Sequence, residues 1–140
     1  MLVFALVLCL PVLAFGQVDV NALANYEFNR FDIDQDGNIE PLEVQQYFSR
    51  FDANHDQRIS RQEYQREVET HHENNPGAKD LLLRLFDALD YDNDNHIDDP
   101  DYTRLFNSAD SNKNNLVSQR EFVIYFHDLA GVPITRGNQQ

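Results

Sequence analysis

The chain has 140 residues, with 24 acidic against 11 basic side chains and a formal net charge of −13. This length suits one domain or two very small ones. Such an acidic surface repels phosphate backbones and anionic lipid headgroups, which argues against nucleic acid and membranes as partners and favours divalent cations.

The N-terminal segment predicts a cleaved secretion signal. Residues 2–15 are uncharged, and a stretch of about 14 apolar residues is too short to span a membrane comfortably. Small side chains at Ala14 and Gly16 place cleavage after Gly16, although the usual basic segment is missing. We expect residues 1–16, with the only cysteine, to be a signal peptide and the remainder to be secreted. The alternatives are an uncleaved anchor and a buried helix.

Four segments share a pattern of oxygen-bearing side chains, and we number them loops 1 to 4: residues 32–43, 52–63, 90–101 and 110–121. The candidate metal ligands of loops 1 and 2 are Asp32, Asp34, Asp36, Asn38, Glu40, Glu43, Asp52, Asn54, Asp56, Arg58 and Glu63. Those of loops 3 and 4 are Asp90, Asp92, Asp94, His96, Asp98, Asp101, Asp110, Asn112, Asn114, Leu116 and Glu121. The residue at position 7 of each loop (Asn38, Arg58, His96 or Leu116) is expected to offer its backbone carbonyl.

These segments resemble the calcium loops of the EF-hand superfamily. Oxygen ligands stand at positions 1, 3, 5 and 12, and loop 1 also has Gly37 at position 6 and Ile39 at position 8. Such hard oxygen ligands suit Ca²⁺, which accepts six to eight of them. Surface turns rich in Asp and Asn would not explain the Phe that precedes every loop by four residues, namely Phe28, Phe48, Phe86 and Phe106.

The four loops are not equivalent, and we expect two to four bound Ca²⁺ ions. Loop 1 is predicted to be the best site. Loop 3 ends in Asp101, which is shorter than Glu and favours competition by Mg²⁺. Loop 2 has Gln57 at the glycine position, which costs about 1 kcal/mol or more. Loop 4 has only two formal charges among its ligands. Loops 2 and 4 are therefore ranked last, and each could also be a structural loop without an ion.

The spacing of the loops predicts an all-α EF-hand fold of about six helices in residues 17–136, followed by a frayed tail at 137–140. Adjacent loops 1 and 2, and likewise 3 and 4, share a helix of about ten residues, which holds them roughly 15 Å apart. We therefore expect loop 1 to pair with loop 4, and loop 2 with loop 3, through short strands at position 8. The central linker should contain an exiting helix over 62–73, a break at 74–77 and an entering helix over 78–89.

The predicted function is that of a secreted calcium-binding protein with a structural, storage or mineral-matrix role. Calcium sensors of the EF-hand type expose a methionine-rich groove, whereas the only methionine here is Met1. The signal, acidity and loops resemble small secreted EF-hand proteins of mollusc-type shell matrices, and this resemblance implies calcium mineral or matrix proteins as partners and a role in biomineralisation. The alternative is a calcium-dependent adaptor or sensor. The oligomeric state stays open.

An enzyme is not expected, because the chain has neither a nucleophile elbow nor a zinc helix motif. The run His71–His72–Glu73 is interpreted as a solvated helix face. The remaining histidines, His55, His96 and His127, are interpreted as loop or surface residues.

Overall fold

The structure is a computed structural model that describes residues 18–134. The helices of this part are α1 (Val20–Phe31), α2 (Pro41–Ser49), α3 (Arg61–His71), α4 (Pro76–Leu89), α5 (Asp99–Ala109) and α6 (Gln119–Ala130). Its strands are β1 (Asn38–Ile39), β2 (Ile59–Ser60), β3 (His96–Ile97) and β4 (Val117–Ser118). The predicted signal peptide and the tail at 137–140 lie outside the described residues. Within residues 18–134, no helix is long and apolar enough to cross a membrane.

The strands pair as the loop spacing predicts. β1 pairs antiparallel with β4, with Ile39 opposite Val117, and β2 pairs antiparallel with β3, with Ile59 opposite Ile97. The reason lies in helix α2, whose nine residues span about 14 Å and hold loops 1 and 2 apart. Helix α5 separates loops 3 and 4 in the same way. The four loops therefore form two pairs, and each pair joins one loop from each half of the chain.

Three helix pairs build the core: α1 packs on α6, α3 on α4, and α2 on α5. The four phenylalanines that precede the loops are all buried, as are the residues at position 8. Aromatic rings connect the pairs, because Phe31 of α1 stacks on Tyr47 of α2 with ring centroids 3.7 Å apart. The aromatic side chains are not all in the core, however, since Tyr26 is 45% exposed.

The break between the two halves has the predicted length of four residues but lies two residues earlier, at 72–75, because α3 ends at His71 and because Pro76 and Gly77 belong to α4. The Asn75 side chain caps this helix by accepting a hydrogen bond from the Ala78 backbone N–H at 3.1 Å. Proline fits the first helical position, where its missing N–H has no intrahelical partner to lose. A Cβ at Gly77 would lie 3.2 Å from the Cβ of Val18, so the absent side chain makes room for the segment before α1.

A buried polar cluster ties the end of α3 to α1 and α2, and it corrects the interpretation of His72. Glu27 is only 2% exposed. Its carboxylate contacts His72 Nε2 at 3.0 Å and accepts a hydrogen bond from the Tyr47 hydroxyl at 2.8 Å. Burial raises the pKa of Tyr47 well above its ordinary value, so that this hydroxyl stays a donor. His72 is therefore a core residue and not part of a solvated face.

His127 was also expected at the surface and is likewise buried. Its Nδ1 lies 2.9 Å from the Val132 carbonyl oxygen, just beyond the end of α6. The helix ends at Gly131 in the left-handed conformation, which turns the chain back over the histidine ring. The prediction failed because periodicity shows the face of a helix but not the loop that covers it.

Candidate metal centres

Each loop lies between the last turn of one helix and the first turn of the next. Position 9 is the N-cap of the exiting helix and position 12 is its third residue, in all four loops. The position-9 backbone N–H donates to the position-12 carboxylate at 2.9–3.1 Å in every case. A helix start has N–H groups without intrahelical partners. The same contact therefore caps the helix and aims the position-12 oxygens into the loop.

The aspartate at position 1 organises the turn of each loop. In loop 1, Asp32 accepts hydrogen bonds from the backbone N–H groups of Asp36 at 3.1 Å and Gly37 at 2.9 Å. The equivalent aspartates of loops 2 and 3 accept the same two bonds. Asp110 of loop 4 accepts only the bond from Asn115, and its Oδ1 is buried without a hydrogen-bond partner among the described residues.

Short side chains at positions 3 and 5 fold the middle of the loop. In loop 1, Asp34 Oδ1 accepts from the Asp36 N–H at 3.2 Å, and Asp36 Oδ1 accepts from the Asn38 N–H at 2.9 Å. Both contacts recur in the other three loops. These local turns require a left-handed backbone at positions 4 and 6, and all four loops have it. Gln57 adopts a φ of 67° there, against 91° for Gly37.

The position-12 carboxylates close the loops, and Asp101 does so differently from the glutamates. Glu43 accepts from the Asp34 N–H at position 3, at 3.1 Å, and the glutamates of loops 2 and 4 make the same contact. Asp101 lacks this contact and accepts from the Tyr91 N–H at position 2, at 2.9 Å, as Glu63 also does from the Ala53 N–H. Asp101 is 1% exposed. The shorter side chain is therefore pulled into the core and leaves the position-3 N–H out of reach.

The carboxylates of loops 1 to 3 converge closely enough to share one ion each. The groups whose ligand oxygens lie within 4.8 Å of one another are Asp32/Asp34/Asp36, Asp34/Glu40/Glu43, Asp52/Asp56/Glu63 and Asp90/Asp92/Asp94/Asp101. Ca²⁺ binds oxygens at about 2.3–2.6 Å, so oxygens on opposite sides of one ion lie about 5 Å apart. Loop 4 brings only Asp110 and Glu121, with Asn112 and Asn114 as neutral oxygen donors.

Buried oxygens without partners indicate that these loops suit a cation. Among the described residues, Glu40 Oε2, Asp98 Oδ1 and Asp110 Oδ1 are buried without a hydrogen-bond partner, and they belong to loops 1, 3 and 4. A buried acceptor that is left unpaired costs about 1–3 kcal/mol. A hard cation in the loop would offset this cost, and the all-oxygen donor sets match Ca²⁺ better than softer metals.

The acidity of the ligands differs between the loops. Burial and the neighbouring Glu43 raise the pKa of Glu40 to about 7, and burial raises the pKa of Asp101 to about 6. Although burial acts in the opposite direction, backbone hydrogen bonds lower the pKa of Glu63 and of Glu121. A cation that enters loop 1 or loop 3 near neutral pH therefore competes with protons more than one that enters loop 2 or loop 4.

One side chain near the sites was not foreseen. The sequence assigns Arg58, at position 7 of loop 2, only a carbonyl role, but its guanidinium crosses the β2–β3 pair to loop 3. Its Nη2 lies 3.2 Å from Asp94 Oδ2 and 3.0 Å from His96 Nδ1, and its Nε lies 3.8 Å from Asp98 Oδ2. The only available signal was the predicted pairing of these two loops, which brings position 7 of one beside position 9 of the other.

Comparison with known proteins supports the interpretation of these loops as EF hands. The family model described as EF hand matches residues 26–48 and 44–68, which are the first two repeats with their flanking helices. No curated protein and no solved structure matches the chain. The match, together with the six helices and two short antiparallel strand pairs found within residues 18–134, identifies an all-α EF-hand fold and supports calcium binding within the EF-hand superfamily.

Proposed function

We propose that this chain, with its EF-hand fold, is a secreted protein in which calcium is a structural component. We also propose that it exchanges calcium with its surroundings. The observation that carries the proposal is the closure of the loops onto one core. Glu43, Glu63 and Asp101 are already buried and bridge their loops by hydrogen bonds. An ion bound there would join helices that share this core, so that binding and folding are coupled.

Charge supports the same function. The chain has a net charge of −13, and like charges held close together destabilise a compact state. Every bound Ca²⁺ removes two units of this excess at the place where the carboxylates are closest. Extracellular EF-hand modules bind Ca²⁺ with Kd of about 10⁻⁴–10⁻³ M, which would keep such sites loaded and exchanging in a medium of roughly millimolar calcium.

Calorimetry of the metal-free protein, with and without saturating Ca²⁺, tests this function. We expect Ca²⁺ to raise the thermal midpoint by more than 10 °C, because ligands that bind only the native state stabilise it by mass action. Glu43→Gln should lower this gain. Glu69→Gln, which changes an exposed carboxylate outside the loops, is the matched control. Equal midpoints with and without Ca²⁺ would contradict a structural role.

Secretion and mineral binding are further parts of the proposal and need separate experiments. Mass spectrometry of the protein from the medium of secreting cells should find an N-terminus at Gln17. Adsorption to calcium carbonate crystals should exceed that of a variant in which exposed loop carboxylates are replaced by amides. Retention inside the cell would refute secretion, and equal adsorption of both proteins would leave a storage or structural role in place of mineral binding.

A calcium-dependent adaptor is the second candidate, and one groove favours it. Helices α2 and α5 line a groove of about 580 Å³ with Leu42, Tyr102 and Phe106 on its walls. Leu42 is 61% exposed, more than any other large apolar side chain of the described residues. A large rise in the fluorescence of an apolar dye on adding Ca²⁺, abolished by Leu42→Asp, would favour the adaptor. A constant signal would favour the structural role.

A further inference from the structure

The guanidinium of Arg58, a residue of loop 2, contacts candidate ligands of loop 3. It leaves loop 2 at position 7, crosses the β2–β3 pair and contacts Asp94 and Asp98, which are positions 5 and 9 of loop 3. Its Nη2 also meets the ring nitrogen of His96 at 3.0 Å. Loop 3 has five acidic side chains at ligand-type positions, so that one arginine faces two of them.

The other pair of loops has no equivalent group. Position 7 is Asn38 in loop 1 and Leu116 in loop 4, and neither carries a charge. Asn38 stands opposite Ser118 across the β1–β4 pair. The two pairs therefore differ at position 7: loop 3 faces the guanidinium of Arg58 from its partner loop, whereas the position-7 side chains of loops 1 and 4 are neutral.

We propose that Arg58 is an intramolecular counter-ion that lowers the calcium affinity of loop 3 and stabilises that loop in the metal-free protein. The inference rests on the proposed function, because it concerns how tightly one of its sites binds Ca²⁺. Arginine is always charged and pairs well with carboxylates. An ion that enters loop 3 must weaken these contacts or bind beside a positive charge, and both cost affinity.

The size of the effect follows from the exposure of the pair. The side chains of Arg58 and Asp94 are 44% and 34% exposed, so that water and salt screen their interaction. A unit charge about 5–6 Å from a divalent ion in a water-like dielectric changes affinity by roughly 10- to 15-fold without salt, and screening in about 0.1 M salt reduces this to roughly 3- to 6-fold. The same change should shrink at high salt, because screening weakens exposed charges.

The test compares Arg58→Gln with Arg84→Gln. Both variants remove one positive charge, but Arg84 pairs with Asp80 on the exposed face of α4 and lies outside the loops. Ca²⁺ is titrated into each full-length protein by NMR. The backbone amide of Asn95 reports loop 3, and that of Gly37 reports loop 1. We expect Arg58→Gln to lower the Kd of loop 3 about 3- to 6-fold in about 0.1 M salt, with less than about 2-fold change at Gly37 and in Arg84→Gln.

A second readout needs no bound ion. Without metal, Arg58→Gln should have a lower thermal midpoint than Arg84→Gln, because Asp94 and Asp98 lose their counter-ion. If Arg58→Gln does not fold without metal, its titration is run from the loaded protein with a chelator. Arg58→Lys keeps the charge and should stay near the wild-type affinity.

The possible outcomes separate the two claims. If the Kd of loop 3 in Arg58→Gln is unchanged or higher, the proposal that Arg58 is a counter-ion is refuted. The same holds if Arg58→Lys lowers this Kd as much as Arg58→Gln does. If the unaltered protein shows no calcium-dependent shift at either amide, the proposed function fails. If it binds Ca²⁺ but all the variants behave alike, only the inference about Arg58 fails.

Discussion

Exchanging the residues at position 6 between loops 1 and 2 is expected to move strain from one loop to the other. Gln57 has a φ of 67° and Gly37 a φ of 91°, and a left-handed backbone costs a residue with a side chain about 1–2 kcal/mol. Glycine recovers this cost but loses about 0.5–1 kcal/mol through its greater freedom in the unfolded chain. The net effect is about 1 kcal/mol at each site.

The structure indicates that the substitution at loop 1 adds backbone strain and no collision. A Cβ at Gly37 would have no neighbouring heavy atom within 4 Å, so Gly37→Gln should cost only the conformational energy. Gln57→Gly should stabilise the protein by a similar amount. For a domain of this size, 1 kcal/mol corresponds to about 4 °C in thermal midpoint. The double variant should return close to the wild-type stability, since the two loops belong to different strand pairs.

Urea unfolding of the metal-free and the calcium-saturated protein measures all three variants. The m-value should stay constant, which would show that the variants change stability and not the compactness of the unfolded state. Destabilisation by Gln57→Gly, or no effect of Gly37→Gln, would refute the argument from backbone conformation. The former result would mean that the Gln57 side chain makes a stabilising contact larger than the strain.

Three further predictions concern the buried cluster and the acidic ligands. Glu27→Leu should lower the free energy of unfolding in urea by about 3 kcal/mol, because it leaves His72 buried beside an apolar group, whereas His71→Ala at the surface should cost less than about 0.5 kcal/mol. In metal-free protein the thermal midpoint should fall as pH rises from 5 to 8, because Glu40, with its pKa raised to about 7 from 4.5, binds its proton more tightly in the folded state. Asp101→Glu should improve the preference of loop 3 for Ca²⁺ over Mg²⁺ by about 3-fold or more in calorimetric titration, since a longer side chain can offer both oxygens to the larger ion.

Each of these has an outcome that contradicts it. A small effect of Glu27→Leu would show that the polar cluster is no more stable than apolar packing. The stabilisation from Glu40 is complete below its ordinary pKa and lost as pH rises through its folded value, so Glu40→Gln should flatten the pH dependence. An unchanged slope would assign that dependence to other groups. If Asp101→Glu loses affinity for both ions, crowding in the buried site outweighs the gain in reach.

Most of the loop geometry could be predicted from the sequence, because the contacts that form it are local. Asp32 meets the N–H groups of residues four and five positions later, and Glu43 meets one nine positions earlier. Side-chain types at fixed spacing therefore determine the turn before any helix docks. The pairing of loops 1 with 4 and 2 with 3 was also predictable, since a short shared helix separates adjacent loops.

Only the tertiary structure decided which distant groups meet. Glu27 and His72 are 45 residues apart, and Arg58 and Asp94 are 36 apart. Neither contact has a local pattern, because it depends on how α1 lies against the end of α3 and on which side of the β2–β3 pair a long side chain turns. The sequence by itself determined four acidic loops on a helical frame. Packing determined which carboxylate is buried against a histidine, which aspartate is pulled into the core and which loop faces an arginine. Each of these contacts depends on the distance between helices or strands that come together only when the chain folds.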